Sequence, residues 1–278
     1  MVSKKSRKEI ACLYGILILA SAFALFPILW GLSTSLKNAV SATAYPPKWT
    51  PSPIYLGNYT NLLIKSHMPR YLINTILVAL LTVFCTILCA SHSGYAVARF
   101  NFSGKKVILF FLLLTAMIPG ISILVPLYSL AIKLGIHDTY FVLVFVYTAT
   151  QVATATWIMK GFFETIPREL EEAAMIDGSS TLGAIYRVVF PLSQPGLAAV
   201  GILVFIDVWN DFVFQYALTI SDEMTLVQRG LQNYITAFGV EWGLLMAALM
   251  VALLPVIVLF LLLQSRFVAG LTSGATKG

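Results

Sequence analysis

Two groups of polar residues stand out in this 278-residue chain because only 11% of it is charged. The first is the run "ELEEAAMIDGSS", residues 169–180. Glu169, Glu171 and Glu172 favour the positive end of a short helix, Ala173 and Ala174 keep one face slim, and Gly178 permits a sharp turn after Asp177. A second short helix, about 181–189, is expected to stop at Pro191. The product is a helix-turn-helix with a narrow, acid-flanked knob, shaped either for another protein's groove or as a solvated linker. The second group is Asp207, Asn210 and Asp211 beside Trp209 and Phe212. Carboxylates and amides suit the hydroxyls of a sugar, and aromatic rings suit its apolar faces; the same acids could instead join neighbouring helices by hydrogen bonds. Cys85, Cys89 and His92 share a helical face at i, i+4 and i+7. No fourth ligand is evident, so they are taken as small semi-polar residues at a helix interface, with no metal or catalytic role.

The elements that hold these residues follow from composition. With 59% hydrophobic residues and a mean hydropathy of +0.87, the chain has more apolar surface than one soluble core can hide. Lipid must be its solvent. Six runs match the roughly 20 residues needed to cross a bilayer: about 10–32, 72–97, 107–132, 140–159, 197–214 and 244–263. Each is expected to be helical, since lipid offers backbone polar groups no partner. Pro27, Pro119, Pro126 and Pro255 are expected to kink these helices. The expectation is an all-α integral membrane protein of six transmembrane helices, forming a single domain over residues 1–278.

The positive-inside rule then orients the spans. Twelve of the 18 Lys and Arg residues fall on the side holding both termini and the 160–196 loop, among them Lys4, Lys5, Arg99, Lys105, Arg168 and Lys277. That side is expected to be cytoplasmic, with the chain in a prokaryotic cell (inner) membrane. The net charge of +6 follows from this asymmetry and does not point to nucleic acid. The first span follows a basic N-terminus like a signal peptide, yet it exceeds 20 residues and has no small-residue cleavage site behind it, so it is expected to be retained. Residues 37–70, with "AYPPKWTPSP", and 219–241 lie outside and have the look of docking surfaces. Asp207, twelve residues beyond Pro195, comes to lie ~18 Å into the membrane, where a charge is costly unless it meets a partner or a polar cavity.

Glu172-Ala173-Ala174, three residues, Gly178, nine residues, then Val188-Val189-Phe190-Pro191 resembles the motif E-A-A-x3-G-x9-I-x-L-P of ABC-importer permeases. Val and Phe replace Ile and Leu. The resemblance extends through "YAVARFNFSGKK" (95–106), "WNDF" (209–212) and "FVAGLTSGATKG" (267–278) towards the maltose-type carbohydrate-uptake branch. It implies that the EAA loop between spans 4 and 5 is a coupling helix docking in an ATPase subunit, with Glu171, Glu172, Ala173, Ala174, Asp177, Gly178 and Pro191 in the contact. It also implies that the C-terminal Gly274, Lys277 and Gly278 reach the ATPase pair. The implied partners are a homologous permease, two ATPase subunits and an extracytoplasmic solute-binding protein that brings a sugar or oligosaccharide. No cofactor is expected in this chain itself: it has no G-x-x-x-x-G-K-[ST], so ATP and Mg belong to the ATPase subunits. In the maltose-type arrangement the larger permease partner holds the substrate site.

Alternative cargoes are glycerol phosphate or another polyol-like solute; the spans' scarcity of Arg and Lys leans towards a neutral sugar. A proton-coupled transporter could use Asp207 and Asp211 as a relay, but it has no reason to present the EAA loop to the cytoplasm.

Overall fold

In the computed structural model, residues 7–237 and 239–275 are described, and helices dominate them. We number the main helices α1 (Arg7–Ser35), α2 (Met68–Arg99), α3 (Lys105–Met117), α4 (Gly120–Lys133), α5 (Tyr140–Thr165), α6 (Glu169–Ile176), α7 (Thr181–Leu192), α8 (Gln194–Asn210), α9 (Val213–Leu218) and α10 (Trp242–Ala275). Among the described residues, four stretches are long and apolar enough to cross a membrane singly: Lys8–Ser35, Met68–Arg99, Tyr140–Thr165 and Trp242–Leu262. The count reaches six only when two bent helix pairs are each taken as a span.

These pairs correct two expected boundaries. The run at 107–132 is not one helix: α3 and α4 meet at 94°. Pro119 drives Ile118 out of the helical region, and both adopt extended backbone, with ψ of 120° and 129°. The run at 197–214 ends early, because α8 stops at Asn210 and Asp211 is extended at ψ 131°. At the other end α8 bends 71° from α7. Pro191 does not end that helix as expected. A π turn at Ile185–Val189 precedes it, and the helix continues through Pro191 to Leu192. The break comes at Ser193.

The chain divides into two compact units, residues 1–69 with 231–254 and residues 70–230 with 255–278. In the first, α1 approaches the start of α10 closely enough that a Cβ on Gly31 would lie 3.1 Å from Met250 Cε. Buried Asn58 donates to the carbonyls of Ser35 and Lys37, both at 2.8 Å, and so fixes the chain leaving α1. The Lys37 ammonium sits over Trp30 and donates to the Lys48 carbonyl at 2.6 Å, pinning the proline-rich loop. The second unit holds the larger core: Val78, Leu143, Met159, Phe163, Val200, Phe205 and Val208 pack α2, α5 and α8 together. Asn74 of α2 donates to the carbonyls of Glu223 and Thr225, which ties down the loop after α9. Asp138, at φ 59°, accepts from the backbone N–H of Ile220 at 2.8 Å and of Ser221 at 3.2 Å. Burial alone would push its pKa up, but these N–H donors outweigh burial and hold it below its ordinary value.

Candidate coupling surface and membrane cleft

The acidic run forms α6, with Glu169, Glu171 and Glu172 in its first turn as the dipole favours. Its end is a Schellman motif: Gly178 N–H donates to Met175 at 3.1 Å and Ser179 N–H to Ala174 at 3.0 Å. Gly178 has φ 88°, the left-handed conformation that glycine accepts without penalty. Two residues on, the Ser180 hydroxyl caps α7 by accepting from Gly183 N–H at 3.1 Å. Sequence alone therefore folds the hairpin, one stop signal followed at once by one start signal.

The hairpin's exposure is uneven. Glu172, Ala173, Asp177 and Gly178 are exposed and Ala174 is half-buried. Ile176 is 86% and Leu182 64% exposed at the tip, an apolar pair that the polar pattern did not single out. Glu171, grouped with the docking residues from the sequence, is instead buried. Its Oε1 lies 2.6 Å from Arg99 Nε and its Oε2 accepts from the Tyr95 hydroxyl at 2.7 Å. The spacing of helical residues places it about 100° round the helix from Glu172, enough for one carboxylate to be buried while its neighbour stays exposed. Gly274 lies in the last turn of α10, and Lys277 and Gly278 lie outside the described residues.

The second polar group separates into different roles. Asp207 is exposed and accepts from Gln151 Nε2 of α5 at 3.0 Å. Asp211 does not share its helical face, because the helix has already ended. Its Oδ2 accepts from Tyr147 at 2.7 Å, and from Phe214 N–H at 3.0 Å and Gln215 N–H at 3.3 Å, so it starts α9. Trp209 is buried and stacked on Phe205, with ring centroids 5.4 Å apart, and is not offered to a solute. Asn210 and Phe212 are exposed. Gln151 also lines a cleft of about 390 Å³ at the α3–α4 bend, with Thr115, Thr150, Thr154, Phe145 and Phe214. Neither the bend nor Gln151 carried a signal in the sequence beyond Pro119. His92 is engaged: its Nδ1 faces the Leu88 carbonyl at 2.7 Å, so it carries the proton there, and Nε2 accepts from Tyr186 at 2.7 Å.

A profile of the binding-protein-dependent transport system inner membrane component matches residues 87–273, a stretch that includes the hairpin, Asp207 and the cleft. The chain belongs to this family. It is a transport subunit, not an enzyme. Among its relatives, the sulfoquinovosyl glycerol transport system permease protein of Agrobacterium fabrum is 36% identical over 91% of this chain and 89% of its own length. The trehalose/maltose transport system permease protein of Thermococcus litoralis is 34% identical over 98% of both. A galactooligosaccharides transport system permease protein of Bacillus subtilis is 32% identical over the full length of each. A chain from a solved bacterial ABC transporter that imports alginate superposes with a TM-score of 0.82 over 95% of this permease and 99% of that chain, at 22% identity, which shows a shared fold.

Proposed function

We propose that this permease pairs with a homologous permease and two ATPase subunits to import a neutral sugar or oligosaccharide delivered by an extracytoplasmic binding protein. The observation that carries the proposal is the α6–α7 hairpin, which presents exposed Glu172, Ala173, Ile176 and Leu182 around a fixed glycine turn. An apolar tip flanked by a carboxylate suits a groove with a basic group inside it. The hairpin faces the cytoplasm with both termini, as the basic residues direct. ATP and Mg bind the ATPase subunits, whose closure moves the hairpin and switches the spans from inward- to outward-facing as the loaded binding protein docks.

For the solute, Asp207 and Gln151 place a carboxylate and an amide beside the cleft's threonine hydroxyls, and Phe145 and Phe214 add ring faces. Hydroxyl-rich, uncharged cargo fits that set of acceptors and donors. The relatives named for trehalose, maltose and galactooligosaccharides support carbohydrate as the class. The test deletes the chain from its host and measures uptake of radiolabelled maltose, trehalose and glycerol phosphate, with the tagged permease purified in parallel. Loss of sugar uptake together with a co-purifying ATPase is expected. Loss of glycerol phosphate uptake alone, or a permease that carries no ATPase, refutes the proposal.

A further inference from the structure

We infer that Tyr95, Arg99 and Glu171 form a buried latch that makes α2 the span moved directly by the coupling hairpin, with Glu171 a positioning residue for transport. The inference rests on the coupling role proposed for the hairpin and names the path by which its motion enters the membrane. The Arg99 and Glu171 side chains are only 7% and 10% exposed and lie 2.6 Å apart. Each oxygen of the carboxylate has its own partner, since Oε2 takes the Tyr95 hydroxyl at 2.7 Å.

The latch is also braced on its far side. Arg99 donates through a second nitrogen to the Ile166 carbonyl at 2.9 Å, in the linker between α5 and α6. Arg168, the residue before α6, donates back to the Arg99 carbonyl at 3.3 Å. Tyr95 meets Phe163 of α5 edge-on, with centroids 5.7 Å apart. One residue before Tyr95, a Cβ on Gly94 would stand 2.9 Å from Met159 Cβ and 3.1 Å from Lys160 N, so α2 and α5 run in backbone contact. The cytoplasmic ends of α2 and α5 and the first turn of α6 are therefore one block.

A buried ion pair is a poor device for stability, because desolvation cancels most of its attraction, but it fixes geometry strongly. Glu171 and Glu172 then divide the labour. Glu172 is left outside for the ATPase, while Glu171 anchors the same helix to α2. Displacement of α6 by a closing ATPase must carry Arg99 with it, since separating the pair would strand two buried charges.

The test expresses tagged full-length permease in cells lacking the native copy. It measures the co-eluting ATPase, its hydrolysis rate, and uptake of radiolabelled maltose and trehalose. Glu171→Gln is expected to elute with its ATPase yet to move about tenfold less sugar per ATP, a mid-range coupling between two sites. Arg99→Met with Glu171→Met removes both charges, so it folds without a stranded ion and should show the same loss. Wild-type sugar per ATP in either variant overturns the latch. ATPase lost from both variants while wild type keeps it also overturns it, by making Glu171 a docking or folding contact. A wild-type permease that elutes without ATPase refutes the coupling role itself, which is a separate failure.

Discussion

Gly178→Ala isolates the turn of the α6–α7 hairpin from everything around it. A Cβ at this position would meet no atom within 4 Å, so the substitution has no steric neighbour to disturb. The whole penalty lies in the backbone, which holds φ at 88°. For an L-residue that conformation costs about 1–2 kcal/mol. This corresponds to about a 5- to 30-fold fall in the ratio of formed to opened turn. The turn is read directly by amide hydrogen exchange at Ser179, whose N–H bonds the Ala174 carbonyl at 3.0 Å only while the turn is formed. Exchange at Ser179 should accelerate by that factor in the Ala variant. Gly178→Asn should show a smaller rise, since Asn tolerates the left-handed region. Gly178→Pro fixes φ near −65° and also removes the N–H that Gly178 gives Met175, so the turn and sugar uptake should both be lost. Equal protection in wild type and the Ala variant, or an Asn variant as impaired as Ala, would refute the backbone argument.

Glu172→Lys sets a positive charge on the exposed side of α6; ATPase co-elution and uptake should fall while Ser179 protection stays at the wild-type level, and unchanged uptake would remove Glu172 from the docking surface. At the cleft, Asp207→Asn keeps an acceptor for Gln151 and should retain most uptake, whereas Asp207→Leu loses it; equal failure of both would instead favour a proton relay. Because the Asp138 carboxyl sits below its ordinary value, its clamp on Ile220 and Ser221 should be complete above about pH 4 and lost as pH falls through its lowered value. Asp138→Asn should cost about 1 kcal/mol in thermal stability at neutral pH and abolish that acid-side dependence; an identical melting profile for wild type and variant counts against the clamp. A reporter at the C-terminus should be accessible from the cytoplasm and one near Pro51 from outside, and cysteine labelling of intact cells at Ser179 but not Ser52 would invert the orientation.

Much of this permease can be read along the chain because lipid imposes rules that act locally. Apolar runs at 72–97 and 140–159 fall within α2 and α5, since a backbone in hydrocarbon must satisfy itself within its own helix. The α6–α7 hairpin is equally local: its cap, its glycine and its acidic first turn lie within twelve residues of one another. Breaks in the spans were harder to place. Pro119 marks a kink in the sequence, but a 94° corner depends on what α4 packs against, and Phe214 reaches Gly120 from far along the chain. Side-chain roles were decided only by the tertiary structure. Glu171 and Glu172 are chemically identical neighbours, and Arg99, some 70 residues away, is what turns one of them inward. In the same way Asp207 and Asp211 carry the same carboxylate at helical spacing, yet the end of α8 at Asn210 leaves the first with Gln151 and spends the second on capping α9. A residue's type fixes which bonds it can make; the partners that distant segments bring to it decide which it does make.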